Sequence, residues 1–127
     1  MIQVLVIDDE PAVRLLLQKN LEFAGFDVAT AEDGATGLAS VREGRPDVVV
    51  LDLMMPRLDG FEVLRQLSVD GESTVPPVVV LTALSDAAVK ERCYGLGAAS
   101  VMTKPFDPSA LATEVARVAA TERPARA

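Results

Sequence analysis

Polar side chains end four apolar runs of this sequence, at positions where a buried strand has no use for them. They are Asp8 and Asp9 after VLVI, Asp52 after DVVVL, Thr82 after PPVVVL and Lys104 after AASVMT. Three carboxylates held close together repel one another, and a hard divalent cation relieves that repulsion. Donors that are all oxygen atoms favour Mg²⁺, or Mn²⁺, over Zn²⁺. The hydroxyl and the ammonium group can contact phosphoryl oxygens, so the set predicts a site for a cation and a phosphoryl group.

The elements that must position these side chains are five short strands alternating with five helices. We predict strands at about 2–7, 27–31, 47–52, 77–82 and 99–103, and helices at about 11–24, 34–43, 59–68 and 86–96, with a fifth opening at Asp107 and Pro108. Continuous runs of Val, Ile and Leu are typical of parallel strands buried on both faces. The alternation predicts an α/β fold with a flavodoxin-like, doubly wound, five-stranded parallel sheet in the order 2-1-3-4-5. Ligands bind at the carboxyl ends of such strands, where the five polar side chains stand.

Apolar spacing within the predicted helices indicates which faces are buried. The predicted buried residues are Val13, Leu16, Leu17, Leu21 and Ala24 in the first helix, Phe61, Leu64 and Leu67 in the third, and Leu111, Val115 and Val118 in the fifth. The apolar period is lost after the fifth helix. We therefore predict one domain over residues 1–120, with residues 121–127 as a C-terminal tail or the start of a linker.

Composition narrows the possible functions of the chain. The 127 residues include 19 acidic and 12 basic ones, giving a net charge of −7, and no basic run suits nucleic-acid binding. No stretch approaches the roughly 20 apolar residues that cross a bilayer, and no signal peptide is evident, so we expect no membrane segment. The single cysteine, Cys93, fits a half-buried packing role in a reducing compartment, and we expect a cytoplasmic protein. Histidine, the commonest general base, is absent from the sequence.

Four motifs, taken together, resemble the receiver domain of two-component response regulators over about residues 2–120. They are IDDEP at 7–11, LDLMMPRLDG at 51–60, LTA at 81–83 and TKPF at 103–106. The resemblance implies that Asp52 accepts a phosphoryl group from a phosphohistidine on a partner histidine kinase or histidine phosphotransfer protein. Because these 127 residues contain no histidine, we expect that partner to be a separate protein. The implied role is a signalling module that controls a downstream effector or fused output domain, and not a turnover enzyme.

The same resemblance implies roles for the remaining site residues. Asp9, Asp52 and the backbone carbonyl of Met54 would coordinate Mg²⁺, and Asp8 would act through bound water. Lys104 and Thr82 would contact the phosphoryl oxygens. The resemblance further implies that Pro56 and Gly60 shape the loop after the acceptor strand, and that the Lys104–Pro105 peptide bond is cis.

The sequence departs from the family pattern at two places. Val101 stands where the family usually carries an aromatic residue that responds to the strand-four threonine, so we expect a smaller or rebuilt switch. Ala99 and Ser100 replace two acids that form dimer salt bridges in many DNA-binding members, which puts those bridges in doubt. The resemblance also implies that Met54 and Leu84 occupy sites beside the phosphoryl group at which the family varies. Both are apolar and cannot orient an attacking water, which predicts a long-lived acyl phosphate.

Two alternative functions stay open at this point. The Val101 departure fits a receiver-like scaffold that binds a partner without being phosphorylated. A phosphatase of the haloacid-dehalogenase type uses similar Asp, Thr, Lys and Mg²⁺ chemistry. That class places its nucleophile after the first strand in a DxD pattern, however, whereas this chain has IDDEP there and a lone acid on the third strand.

Overall fold

The computed structural model describes residues 1–69, 75–84, 86–105 and 107–121, and its ten elements follow the predicted order. The strands are β1 (Gln3–Ile7), β2 (Asp27–Ala31), β3 (Val48–Asp52), β4 (Val78–Thr82) and β5 (Ser100–Thr103). The helices are α1 (Pro11–Phe23), α2 (Gly34–Gly44), α3 (Gly60–Val69), α4 (Ala87–Gly95) and α5 (Pro108–Thr121). The predicted tail starts within the last turn of α5. Its residues 122–127, and Phe106 of the TKPF motif, lie outside the described residues.

The five strands form one parallel sheet in the order β2-β1-β3-β4-β5, which confirms the predicted topology. Every residue of β3 and β4 is buried, as their continuous Val and Leu runs predicted. The two outer strands, β2 and β5, are the edges of the sheet. The carboxyl ends of all five strands lie at one end of the sheet, and those of β1, β3 and β4 are side by side at its centre.

Alternation along each strand divides the core into two layers. Leu5, Ile7, Val49 and Leu51 belong to the layer that packs against α2, α3 and α4. Val4, Val6, Val48, Val50, Val79 and Leu81 belong to the layer that packs against α1 and α5. Cys93 packs in the first of these layers and is fully buried, not half-buried as predicted, because the small apolar thiol fits within the core. Successive strand residues face opposite sides of the sheet, so both faces are covered by helices.

The predicted helix faces agree with the structure except on α1. Leu17 and Leu21 are buried there, but the side chain of Leu16 is 58% exposed, and Ala24 lies at the exposed C-cap. Helix α1 also carries an exposed Leu15, so its apolar residues span more of the circumference than one core-facing stripe requires. The predicted residues of α5 are fully buried, and those of α3 are buried or half-buried. Among the described residues, no helix has the length and apolar character needed to span a membrane.

Gly60, the first residue of α3, lies directly against the end of β3. A Cβ atom at this position would stand 2.7 Å from the carbonyl oxygen of Asp52 and 2.6 Å from the Cα of Leu53. The Gly60 N–H donates a 2.9 Å hydrogen bond to the carbonyl of Leu53. The loop after β3 therefore returns onto its own strand at a distance that only a residue without a side chain permits.

Candidate functional site

The carboxylates of Asp8, Asp9 and Asp52 meet at the central strand ends, as predicted. One carboxylate oxygen from each residue lies within 4.8 Å of those of the other two. Strands β1 and β3 pair directly, with Ile7 opposite Leu51, so the residues that follow are neighbours. Asp8 and Asp52 are buried and Asp9 is half-buried. Three acids are thus held together in a largely water-excluded place, which is costly unless other groups compensate.

Hydrogen bonds satisfy only part of this acidic cluster. The N–H of Glu10 donates to Asp8 Oδ1 over 2.9 Å, and the N–H of Met54 lies 3.4 Å from Asp52 Oδ1. Within the described residues, Asp8 Oδ2 and Asp9 Oδ1 are buried oxygens with no hydrogen-bond partner. Unpartnered anionic oxygens within a cluster of three carboxylates suit a hard cation such as Mg²⁺. These donor atoms therefore fit the metal that the sequence predicted.

Lys104 supplies a positive charge at the same place. Its Nζ lies 3.7 Å from Asp52 Oδ1 and 4.0 Å from Asp8 Oδ2, with 26% of the side chain exposed. The Lys104 N–H donates a 2.7 Å hydrogen bond to the carbonyl of Thr82, which ties the ends of β4 and β5 together. The Lys104–Pro105 peptide bond is cis, as predicted. The lysine is therefore anchored by its backbone and reaches two of the three carboxylates.

Burial and mutual repulsion raise the pKa of the clustered acids. The pKa of Asp52 rises to about 6, chiefly because the side chain is buried and next because the Asp8 carboxylate lies beside it. Lys104 and the Met54 N–H act in the opposite direction on Asp52. The pKa of Asp8 is also raised, mainly by burial. Asp52 is therefore a carboxylate whose charge is only partly compensated and whose protonation responds to pH near neutrality.

Thr82 ends β4 with a fully buried side chain, opposite Thr103 of β5. Its hydroxyl oxygen accepts a 3.0 Å hydrogen bond from the N–H of Leu84, in the loop that leads to α4. The hydroxyl keeps its own proton available to donate. Met54 and Leu84, which the sequence predicted to flank the acceptor, both have exposed side chains.

One residue at this site was not predicted from the sequence. The guanidinium of Arg14, one turn into α1, donates from Nη1 to the carbonyl oxygen of Asp8 over 2.8 Å. The available signal was a basic residue five positions after Asp9 on the helix that follows the acid pair. Spacing alone does not reveal that an arginine side chain turns back toward the strand end.

The comparisons with known proteins agree on the family. The family profile described as "Response regulator receiver domain" matches residues 4–116. The chain is 44% identical over 105 residues to the DNA-binding dual master transcriptional regulator RpaA of Synechocystis sp., covering 83% of this chain and 44% of that protein. It is 48% identical over 107 residues to response regulator MprA of Mycobacterium sp. strain KMS, covering 83% and 45%. The chain thus spans less than half the length of these curated relatives.

Solved structures give the same result for the fold. The receiver domain of the Francisella response regulator 1452 superposes with a TM-score of 0.90 at 31% identity, covering 96% of this chain and 99% of that one. Vibrio cholerae chemotaxis protein CheY4 superposes with a TM-score of 0.86 at 32% identity, covering 93% and 98%. Fold, motifs and relatives coincide over the same residues. The chain belongs to the response regulator receiver domain family.

Proposed function

We propose that Asp52 accepts a phosphoryl group from a phosphohistidine of a partner histidine kinase or histidine phosphotransfer protein, in a reaction that depends on Mg²⁺. The observation that carries this proposal is the environment of the Asp52 carboxylate. It is buried at a strand end and has an ammonium group 3.7 Å away. One of its oxygens lies within 4.8 Å of an oxygen of each of two further carboxylates. A purely structural acid would be paired more completely than this one is.

Each protein group has a defined task in the transfer. A carboxylate oxygen of Asp52 forms a bond to phosphorus while the P–N bond of the phosphohistidine breaks, and the leaving imidazole keeps the electron pair and takes up a proton. With a pKa of about 6, Asp52 is largely ionised at neutral pH and can act as the nucleophile. The ammonium of Lys104 attracts the phosphoryl oxygens, and the hydroxyl of Thr82 donates a hydrogen bond to one of them.

The cation would be held by Asp9, Asp52 and the backbone carbonyl of Met54, with Asp8 acting through bound water. Mg²⁺ is the preferred ion and Mn²⁺ a second choice, because every donor is oxygen. When bound, the ion compensates the negative charge of the acids and of the incoming phosphoryl oxygens. The unpartnered oxygens of Asp8 and Asp9 support this assignment.

The phosphorylated domain is proposed to act through the surface formed by α4, β5 and α5 on an effector protein or a fused output domain. Two of the curated relatives are transcriptional regulators by name, and this chain spans under half of each. We propose that DNA contact, where it occurs, belongs to such an output region and not to this acidic chain. The module would work in the cytoplasm as a switch, with only self-catalysed transfer and loss of its own phosphoryl group.

Beryllofluoride binding tests the proposal, because this anion imitates a phosphoryl group on a carboxylate. We expect the chain to bind beryllofluoride only with Mg²⁺ present, and to lose that binding in Asp52→Asn. Asp47→Asn, directly before the first residue of the same strand, is the matched control and should bind as the parent does. Failure of the parent to bind would favour the alternative in which the domain scaffolds a partner without phosphorylation. Steady release of phosphate from small phosphoesters would instead support the phosphatase alternative.

A further inference from the structure

Arg14 holds a main-chain acceptor at the acid pair that the sheet does not reach. The ladders of β1 with both neighbours end at Ile7, opposite Ala31 and Leu51. The Asp8 N–H still donates to the carbonyl of Ala31 over 3.2 Å, but the Asp8 carbonyl lies beyond the last strand pair. Arg14 Nη1 donates to that carbonyl over 2.8 Å at a part-buried position. A side chain of α1 therefore completes the backbone hydrogen bonding at the end of β1.

This bond controls the direction in which Asp9 leaves the strand. The Asp8 carbonyl belongs to the peptide plane that joins Asp8 to Asp9, and a planar peptide has no free rotation about its C–N bond. Fixing the oxygen therefore fixes the nitrogen of Asp9 and limits where its side chain begins. Asp9 Oδ1 is one of the two buried oxygens with no hydrogen-bond partner among the described residues, so no bond to that atom orients the carboxylate.

The first turn of helix α1 fixes the backbone that carries the Arg14 side chain. The N–H of Arg14 donates to the carbonyl of Glu10 over 2.9 Å, and Pro11 opens the helix at its first position. Glu10 in turn donates its N–H to Asp8 Oδ1 over 2.9 Å. Asp8, Glu10 and Arg14 thus form a closed set of hydrogen bonds around the turn, while Asp8 Oδ2 and Asp9 Oδ1 have no hydrogen-bond partner among the described residues.

We propose that Arg14 is a positioning residue for the cation site, holding the turn at Asp8 and Asp9 so that both carboxylates stay aimed at a divalent ion. This inference rests on the function proposed above. Groups that orient metal ligands without touching the metal change affinity by about 10- to 100-fold when they are removed. A positioning role for Arg14 and simple electrostatics predict opposite changes in cation affinity when Arg14 is removed. Removing a positive charge near three carboxylates should by itself strengthen cation binding, whereas loss of positioning weakens it.

The test is the affinity of the chain for Mn²⁺, which is measured as the decrease in the electron paramagnetic resonance signal of the free ion. We expect Arg14→Met to bind Mn²⁺ about tenfold more weakly than the parent. Arg14→Lys keeps the positive charge and a single donor nitrogen. It should bind Mn²⁺ more tightly than Arg14→Met but more weakly than the parent. The matched control is Arg57→Gln, because Arg57 lines the same pocket of about 420 Å³ as Asp9 and Arg14. That variant loses the same charge and should bind as tightly as the parent or more tightly.

The outcomes separate this inference from the proposed function. Unchanged or tighter binding by Arg14→Met, with binding by the parent that is lost in Asp9→Asn, would overturn the role of Arg14 and leave the proposed function standing. Absence of Mn²⁺ binding by the parent would overturn both. The thermal midpoint of each variant without metal shows whether it folds. If Arg14→Met does not fold, Arg14→Lys alone decides, since its charge is conserved and an affinity equal to that of the parent would contradict the geometric role.

Discussion

The phenolic oxygen of Tyr94 accepts a hydrogen bond from the main-chain N–H of Val101 over 3.2 Å, joining α4 to the edge strand β5. Strand β5 pairs with β4 alone, so this N–H faces away from the sheet and would otherwise have no ladder partner. The ring of Tyr94 is half exposed. An aromatic side chain therefore does reach the β5 edge, although it comes from the helix and not from position 101 itself.

Tyr94 is the natural optical probe of this surface, because the chain has one tyrosine and no tryptophan. If phosphorylation of Asp52 moves α4 relative to β5, the environment of the phenol changes. We expect beryllofluoride with Mg²⁺ to alter the tyrosine emission of the parent and to leave that of Asp52→Asn unchanged. Bound beryllofluoride with unaltered emission would show that the contact between Tyr94 and Val101 takes no part in the response.

Stability should depend on pH through Asp52. Its pKa is about 6 in the folded protein and about 3.9 in an unfolded chain, so the folded state binds more protons between these values. The free energy of unfolding contributed by this group therefore falls as pH rises from about 4 to about 6, and stays low above. In metal-free buffer, we expect Asp52→Asn to gain up to about 3 kcal/mol over the parent between pH 4 and pH 7. Urea unfolding at the two pH values measures this gain, and an equal difference at both would contradict it.

Lys104 should affect cation and anion binding in opposite directions. Its ammonium lies within 4.0 Å of two carboxylates, where it competes with a divalent ion but attracts phosphoryl oxygens. We expect Lys104→Met to bind Mn²⁺ more tightly and beryllofluoride more weakly than the parent. The exposed Lys90 on α4 offers the control, and Lys90→Met should change neither affinity. An equal loss of affinity for Mn²⁺ and for beryllofluoride would mean that Lys104 acts only by maintaining the structure of the site.

The lifetime of the acyl phosphate should reflect the apolar character of Met54. Its side chain is exposed beside Asp52 and offers no hydrogen bond to an attacking water. We expect the phosphorylated parent to persist well beyond minutes without a phosphatase. Met54→Asn should shorten the lifetime several-fold, because an amide can hold a water near phosphorus. Met54→Leu should leave it unchanged, and decay is followed by release of radiolabelled phosphate.

Two glycines provide a matched pair for stability. Gly60→Ala would force a Cβ to within 2.7 Å of backbone atoms of Asp52 and Leu53, which cannot yield cheaply. We expect a loss of about 1–3 kcal/mol in the free energy of unfolding. Gly44 closes α2 with no atom within 4 Å of the equivalent Cβ, so Gly44→Ala should be neutral or stabilise by up to about 1 kcal/mol. Urea denaturation of both variants measures the contrast, which similar losses would contradict.

The strands, their order and the clustering of the three aspartates with Lys104 could be predicted because each depends on a local signal. A continuous run such as VVVL fits a strand buried on both sides, and parallel strand ends share one edge of the sheet. The exposure of Leu16 could not be predicted, since apolar residues at 13, 15, 16, 17 and 21 leave the orientation of α1 ambiguous. The bonds of Arg14 and Tyr94 depend on how helices pack beside the sheet, which no spacing encodes.

The two-layer core gives the site a particular place in the molecule. By strand alternation, Asp52 is in phase with Val48 and Val50, which face α1 and α5, whereas Thr82 is in phase with Val78 and Val80, which face α2 to α4. A phosphoryl group bonded to Asp52 and held by Thr82 would therefore join two side chains that belong to opposite faces of the sheet. The modification would add a link between the carboxyl ends of β3 and β4 at the rim of the sheet, outside the close-packed interior.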